Sequence, residues 1–306
     1  MTSKGSHSTP DPPLAPGLYL VATPIGNLED ITLRALRVLH SADRIACEDT
    51  RQTARLLHHF GISTPTVSYH LHNEAGRAEE LLQSLQTGAR IALVSDAGTP
   101  AIADPGAELV TKALAANIPI FPIPGANAAL AALIAGGLST EAFAFHGFLP
   151  SKAGQRRTIL EQLRTELSAA HIGNSDAPPT TQIFYETPHR ILEALADIAA
   201  ILGPTHRIVL ARELTKLHEE FLRGPVAAVL ATLQQRPAIR GEIVLLLDGH
   251  LSPPTERAPT QTTLAAEITR LMREEKLSEM DAVKRAAKSR GLGKSEAYRE
   301  WQRTRR

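Results

Sequence analysis

The chain has 306 residues, 43% hydrophobic and 21% charged, and its 33 Lys and Arg against 32 Asp and Glu leave a net charge of +1, a balance that excludes an intrinsically disordered chain. A lone Cys47 excludes an intramolecular disulfide framework and fits a reducing compartment. No apolar run reaches the roughly 18 residues of a membrane span, and the opening MTSKGSHSTPDPPLAPG lacks the apolar core of a secretory leader, so secretion and membrane insertion are excluded and a cytoplasmic protein is expected.

In chain order, the first 16 residues, with Pro10, Pro12, Pro13 and Pro16, read as a disordered tail. Then short apolar runs alternate with helical periodicity. GLYLVATPI (17–25) predicts a strand, and Ile31, Ala35, Val38 and Leu39 a helix. RIACED (44–49) is a second strand, TARLLHHFG (53–61) a helix, and TVSYH (66–70) a third strand. Ala78, Leu81, Leu82 and Leu85 mark the next helix, followed by RIALVSD (90–96), the helix GAELVTKALAAN (106–117) and PIFPIPG (119–125). This alternation predicts a mostly parallel sheet covered on both faces, an N-terminal α/β domain over 17–124.

After the Ala-rich helix ANAALAALIAGG (126–137) the pattern changes. AFAFHGFL (142–149), TQIFYET (181–187), HRIVLARELT (206–215), EEFLRG (219–224) and GEIVLLLDG (241–249) read as strands, with helices over 188–203 and 225–236. The fourth of these follows the third too closely for a crossover, so an antiparallel pair is expected. The result is a second, mixed-sheet α/β domain over 125–249. A Pro-rich linker, HLSPPTERAPT (250–260), leads to a helix-turn-helix-like module over 261–306. Residues 252–306 hold 13 Lys and Arg against 8 Asp and Glu, leaving 20 against 24 for the remainder. A basic module thus follows a mildly acidic body. In it Leu264, Ile268 and Leu271 set one helix, Met280, Val283 and Ala287 a second, and Ala297 with Trp301 a third, with Gly291 and Gly293 at the last turn.

Ligands of open α/β sheets bind beyond the carboxyl ends of the strands. There this chain places Thr23-Pro24-Ile25-Gly26-Asn27, Glu48-Asp49-Thr50-Arg51, Ser95-Asp96-Ala97-Gly98-Thr99-Pro100, Pro124-Gly125-Ala126-Asn127, Tyr185-Glu186-Thr187 and Arg212-Glu213. Turn formation explains any one of these loops; six on one edge point to a binding site. The densest, VSDAGTPAIADPG (94–106), holds two Asp, two Gly and two Pro yet keeps Ala101, Ile102 and Ala103 apolar. Asp96 can accept hydrogen bonds from hydroxyl or amino groups, and the apolar stretch can lie on a flat ring, which suits a nucleoside-like or amino-acid-like cofactor. Neither G-x-x-x-x-G-K-[ST], nor G-x-G-x-x-G after a strand, nor G-x-S-x-G occurs, excluding a Walker ATPase, a standard dinucleotide fold and a lipase-type hydrolase.

ATPIGNLEDIT (22–32), ACEDTRQT (46–53), VSDAGTPAIADPG (94–106), PGANAALAAL (124–133), FHGFLP (145–150), FYETPHRI (184–191), ARELTKLHEE (211–220) and GEIVLLL (241–247) succeed one another in order. This series closely resembles the 16S rRNA cytidine 2′-O-methyltransferases (ribosomal RNA small subunit methyltransferase I) of the tetrapyrrole-methylase superfamily, from about Leu18 to Leu247 and through the basic tail. The resemblance implies two α/β domains with S-adenosylmethionine between them, a homodimer, and methyl transfer to a cytidine ribose in the decoding region of 16S rRNA, within the 30S subunit. It also implies that Asp96, Ala97, Gly98, Thr99 and Ile102, together with Pro124, Gly125, Ala126 and Asn127, bind the cofactor. Further contacts are expected from Thr23, Pro24, Tyr185, Leu210, Ala211, Glu242 and Ile243. Tetrapyrrole-modifying members carry a glycine-rich first loop, whereas TPIGNLED has only Gly26, which speaks against the alternative of a tetrapyrrole substrate. A non-catalytic RNA-binding assembly factor is a further alternative, opposed by the intact loops.

Methyl transfer to a hydroxyl requires alignment and an acceptor for the proton. Glu48, Asp49 and Glu186 are the leading candidates; Glu213 and Lys216 also stand near, and structural ion pairs with Arg51, Arg190 or Arg212 would equally account for the carboxylates. RNA phosphates call for cations: Arg51, Arg55, Lys152, Arg156, Arg157, Arg190, Arg212 and Lys216 lie near the proposed cleft. In the tail, Lys284, Arg285, Lys288, Arg290, Lys294, Arg299, Arg303, Arg305 and Arg306 offer a second basic surface. His70 and His72 form an H-x-H with no Cys pair or third ligand nearby, so no metal site is expected. Cys47 reads as a small core residue.

Overall fold

The computed structural model describes residues 13–71, 73–173, 178–251, 264–274, 277–289 and 293–303. The expected tail as far as residue 12, His72 of the H-x-H, most of the linker, and Arg290, Gly291, Arg305 and Arg306 lie outside the described residues. The chain divides into two units, Met1–Ser252 and Pro253–Arg306.

The first sheet of the larger unit consists of β1 (Gly17–Val21), β2 (Arg44–Cys47), β3 (Thr66–Ser68), β4 (Arg90–Val94) and β5 (Ile120–Ile123) in the order β3-β2-β4-β1-β5. Every pairing is parallel. Side chains alternate between faces along each strand. Tyr19 and Val21 join Ile45, Ala92 and Val94 under α1 (Leu33–Ser41) and α2 (Thr50–His59), while Leu18, Ala46, Ile91 and Leu93 face α3 (Glu74–Gln86) and α4 (Ala107–Ala115). Both faces are covered, which is why the strand bodies are apolar throughout. Thr32 and Asp49 cap α1 and α2 by accepting from the backbone N–H groups of Ala35 and Arg51. Cys47 is fully buried in this core.

The second sheet consists of β6 (Ala142–Phe148), β7 (Thr180–Glu186), β8 (Arg207–Arg212), β9 (Glu220–Pro225) and β10 (Ile243–Leu247) in the order β6-β7-β10-β8-β9. Only the β6–β7 pairing is parallel, and β8 and β9 form the expected antiparallel pair. One face is covered by α6 (Ala153–Gly173), α7 (Ile191–Leu202) and α8 (Val226–Gln234). The other packs on α5 (Ala128–Gly136) through Ala129, Ala132 and Leu133, joined by Ile25 from the loop after β1. Helix α6 was not among the expected elements; Leu160, Leu163 and Leu167, buried on α7 and the sheet, carry the three-and-four spacing that marks it.

Arg156 of α6 corrects one expectation. Its side chain is 2% exposed, and its Nε donates to Asp197 Oδ2 of α7 at 2.7 Å, while Arg157 Nε meets Oδ1 of the same carboxylate at 2.7 Å. Arg156 therefore fastens two helices and presents no guanidinium to a phosphate. Arg157, on the solvent side, keeps 61% of its side chain exposed.

In the smaller unit, α9 (Leu264–Glu274), α10 (Glu279–Ser289) and α11 (Lys294–Arg303) bury Leu264, Ile268, Leu271, Ala282, Val283, Ala286, Ala287, Ala297 and Trp301 in a core of their own. Met280, expected to set the second helix, is half exposed, and Ala282 and Ala286 fill that face instead. Lys284 and Lys288 are exposed, and the side chain of Lys294 is not among those described. Among the described residues no helix is long and apolar enough to cross a membrane.

Replacing one partner of a buried ion pair leaves the other uncompensated, at a cost of about 3–5 kcal/mol. Asp197→Ala is expected to lose stability on that scale in urea unfolding, and Arg157→Ala far less.

Candidate functional site

Because β1 to β5 are parallel, all their carboxyl ends share one edge. In the second sheet β10 is antiparallel to both neighbours, with Ile243 opposite Glu186 and Arg212. Its first residues therefore lie beside the last residues of β7 and β8. The two edges bound a cavity of about 430 Å3. The first sheet supplies Ile25, Glu48, the stretch Asp96 to Thr99, and Ile102, Ala103 and Asp104; Asn127 and Ala128 open α5. The second supplies Phe148, Tyr185, Glu186, Thr187, Pro188, Leu214 and Glu242 to Val244.

Backbone contacts hold this wall. Thr23 N–H donates to the Gly98 carbonyl at 2.9 Å and Gly98 N–H returns a bond to Thr23 at 3.0 Å, stitching the loops after β1 and β4. Gly98 has φ 82°, and a β-carbon there would come within 3.3 Å of Ile25 Cγ2. Asp96 Oδ1 accepts from Asp49 N–H at 2.9 Å, and Oδ2 from Gln52 Nε2 at 3.3 Å. Asn127 caps α5 by accepting from Leu130 N–H at 3.1 Å while its Nδ2 donates to Thr99 Oγ1 at 3.3 Å. Thr99 Oγ1 in turn donates to the Ala126 carbonyl. Ala101 and Ala103 both take positive φ, 65° and 62°, conformations that cost a residue bearing a β-carbon free energy and persist where surroundings over-determine them.

Residues 17–230 match the family of Tetrapyrrole (Corrin/Porphyrin) Methylases. The chain is 51% identical over 233 residues to ribosomal RNA small subunit methyltransferase I of Halalkalibacterium halodurans, covering 76% of each chain. To the protein of that name from Synechocystis it is 47% identical, over 83% of this chain and 86% of the relative. For Bacillus subtilis the identity is 42%, over 92% of both. The chain belongs to the tetrapyrrole methylases. Among solved structures, diphthine synthase superposes with a TM-score of 0.58 at 13% identity, over 75% of this chain and 89% of its own. A cobalt precorrin-4 methyltransferase gives 0.55 at 17% identity, over 77% and 96%. These two show the fold alone.

Tetrapyrrole methylases depend on S-adenosylmethionine, and the residues present fit it. The cavity lining carries the carboxylates Glu48, Asp96, Asp104, Glu186 and Glu242 and, among the described residues, no Lys, Arg or His, which suits a ligand bearing a sulfonium and an ammonium. Ile25, Ala97, Ile102 and Val244 give apolar surface for an adenine ring. Glu186 is fully buried; its Oε2 accepts from Thr187 N–H at 2.6 Å and Arg190 at 2.9 Å. Its Oε1 is buried with no hydrogen-bond partner among the described residues, and a donor on a bound molecule would satisfy it.

The five acids in the cavity lining of this methylase differ in their surroundings. Glu242 is paired with Lys216 at 3.0 Å, and Glu186 with Arg190. Burial first, and then the charge of Asp96, raises the Glu48 carboxyl. Burial followed by Glu48 pushes Asp104 up to about 6, against a hydrogen bond from Ser95. Asp49 is the opposite case: outside the lining, it holds Arg51 at 2.9 Å and is drawn down to about 2 by that pairing. Asp104 was not singled out in the sequence analysis; its signal was a second carboxylate closing the same dense loop, just before Pro105.

Other expected contacts sit behind the wall. Thr23, Pro24, Pro124, Gly125 and Ala126 frame the loops, and the side chains of Leu210 and Ala211 are fully buried on opposite faces of the second sheet, away from the lining. Leu214 and Val244 stand at the cavity in their place. Most expected RNA-binding cations are engaged: Arg212 with Glu220 at 3.0 Å, Lys216 with Glu213 at 2.8 Å, Arg190 with Glu186. Lys216 also crosses directly over Gly26, where any β-carbon would overlap its side chain. Arg55 and Lys152 are exposed.

A carboxyl whose folded value lies above its unfolded value of 3.8 contributes stability that is present below about pH 4 and lost as pH rises through about 6. Asp104→Asn removes that loss. The melting temperature of the variant relative to the parent is therefore expected to climb between pH 4 and pH 7, and a difference independent of pH would contradict the assignment.

Proposed function

We propose that this methylase transfers a methyl group from S-adenosylmethionine to the 2′-oxygen of a cytidine ribose in the decoding region of 16S rRNA, acting on the 30S subunit as a homodimer. Its relatives' name supports small-subunit rRNA as the substrate. The observation that carries the chemistry is that Glu48 and Asp104, two carboxyls of raised proton affinity, both line a cavity otherwise suited to a cation.

S-adenosylmethionine, when bound, supplies an electrophilic methyl carbon on a sulfonium, with a neutral thioether as leaving group. The chain's own task is to hold the ribose in line, keep water out and take the hydroxyl proton. A ribose hydroxyl is too weak an acid to ionise first, so its proton leaves as the new bond forms, and an acceptor titrating near neutrality suits that transfer. Asp104, pushed up to about 6, fits that role, and Glu48, raised by burial and Asp96, stands beside it in the same lining as a second acceptor. Asp96, held by two donors, positions rather than accepts. Asp49, drawn down to about 2 and turned to its helix cap, is set aside, and Glu186, neutralised by Arg190, serves to anchor. Exposed Arg51, Arg55, Lys152 and Arg157, with Lys284 and Lys288 of the smaller unit, supply the phosphate contacts.

The reading is tested with labelled S-adenosylmethionine and 30S subunits that lack the modification: nuclease mapping should place the label on ribose, and label on a base or on no RNA would refute it. In single turnover, Asp104→Asn and Glu48→Gln are each expected to slow transfer by about 10²–10⁴. The parent rate should fall with acid through about pH 6, where Asp104 takes its proton. Glu48→Gln removes a charge that raises Asp104, so its residual acid limb should move to lower pH. For Lys284→Ala with Lys288→Ala, 30S affinity should fall and the slope of log K against log salt should flatten by about 1–2, with binding of the methyl donor unchanged.

A further inference from the structure

Aromatic residues make up 4% of the chain, yet three cluster where Phe148 and Tyr185 line the cavity. Phe145 and Phe148 of β6 both meet Tyr185 of β7 edge-on, with ring centroids 4.9 Å and 5.6 Å away and interplanar angles of 68° and 65°. Residues three apart on a regular strand point to opposite faces, so a flat β6 could bring only one of the two to Tyr185. The register resolves this. Phe145 lies opposite Ile183 and Phe148 opposite Tyr185, three steps on β6 against two on β7. The extra residue is a bulge at which Gly147 takes φ 69°. It turns Phe148 back to the face that Phe145 already occupies.

Packing does not account for that turn. Leu149, the next residue, is 1% exposed and anchors the chain in the core, whereas Phe148 lines the cavity and stays 51% exposed. Tyr185 braces one side of the ring and solvent meets the rest. A half-exposed aromatic in the lining of a cavity that also holds the carboxylates Glu48 and Asp104 is placed to meet the base of a nucleotide whose ribose enters there.

We propose that Phe148 is the platform on which the pyrimidine ring of the substrate nucleotide stacks as its ribose enters the cavity. The inference rests on the ribose-methylation reading. For a 2′-hydroxyl to reach a carboxylate inside the protein, its nucleotide must leave the stack of its neighbours, and the base loses its stacking partners. An aromatic face replaces them and tolerates either pyrimidine. Base discrimination therefore lies elsewhere in the wall, and Phe148 supplies affinity.

The full-length enzyme and unmodified 30S subunits test this, together with an RNA fragment carrying a fluorescent cytidine analogue at the target position. F148L keeps an apolar side chain without a π-face, and F148W keeps the face. With F148L matched to the parent in melting temperature, KM for 30S is expected to rise on the order of 10–100-fold and quenching of the analogue to disappear, while S-adenosylmethionine affinity stays constant. F148W should recover both losses. If F148L performs as the parent does, or if the variants lose only affinity for the methyl donor, the platform is refuted while ribose methylation stands. If the parent places no methyl on ribose at all, the underlying reading fails first and the platform with it.

Discussion

Five carboxylates around one cavity, with no cationic side chain among the described residues of its lining, repel one another strongly wherever water is scarce. The larger unit meets that repulsion in three ways. Glu186 and Glu242 are answered from behind by Arg190 and Lys216. Asp96 is held by an N–H of the α2 cap and by Gln52. For Glu48 and Asp104 burial and neighbouring carboxylates outweigh His70 and the Ser95 hydroxyl, and both are lifted. A cationic ligand relieves what remains, and the site spends folding stability to keep that option open, a usual trade at functional sites.

Such a site needs a stiff frame, and the topology provides it. β4 and β1 are neighbours in the first sheet, yet α1 after β1 and α4 after β4 cover opposite faces. The loops leaving the two strands therefore diverge and open a crevice at the strand ends, the place where open α/β sheets bind ligands. The reciprocal bonds between Thr23 and Gly98 bridge that crevice at its root. From the second sheet, Asn27 N–H donates to Thr215 Oγ1 at 3.1 Å and Lys216 lies across Gly26, so the loop after β8 reaches the loop after β1. Thr215 and Glu213 hold positive φ there, 65° and 52°. Gly26 thus lets a neighbouring side chain pass, a role distinct from cradling a ligand.

The sequence made strand ends legible because turn residues and carboxylates interrupt otherwise apolar runs; Asp96, Gly98, Asn127 and Tyr185 could be picked out on that ground. The two sheets could be told apart because one short connection, before Glu220, forbids a crossover. What stayed hidden depends on neighbours distant in sequence. Asp104 enters the cavity through left-handed turns at Ala101 and Ala103, which no alanine advertises. Arg156 reads as a basic residue near the cleft until Asp197 is seen facing it from α7. Leu210 and Ala211 sit at a matching strand end, but the antiparallel β10 beside them brings Val244 to the wall instead. The bulge at Gly147 is visible only in the pairing register.

The distribution of ion pairs decides which cations RNA can recruit. A phosphate competes with whatever partner a guanidinium already has. Where both partners are exposed, that pairing is weak and screened by salt: Arg51, with 86% of its side chain in solvent, can leave Asp49 for a phosphate at little loss. Where the pair is buried, leaving strips the desolvated partner of compensation and the departing charge of its own, so Arg156, 2% exposed, remains with Asp197. Arg190 falls on the same side, because Glu186 is fully buried behind it. Arg212 is also retained, since Glu220 is shared with Arg236 in a network of close bonds. The buried and networked cations thus serve the fold, and under the proposed RNA reading it is the exposed ones that meet phosphate.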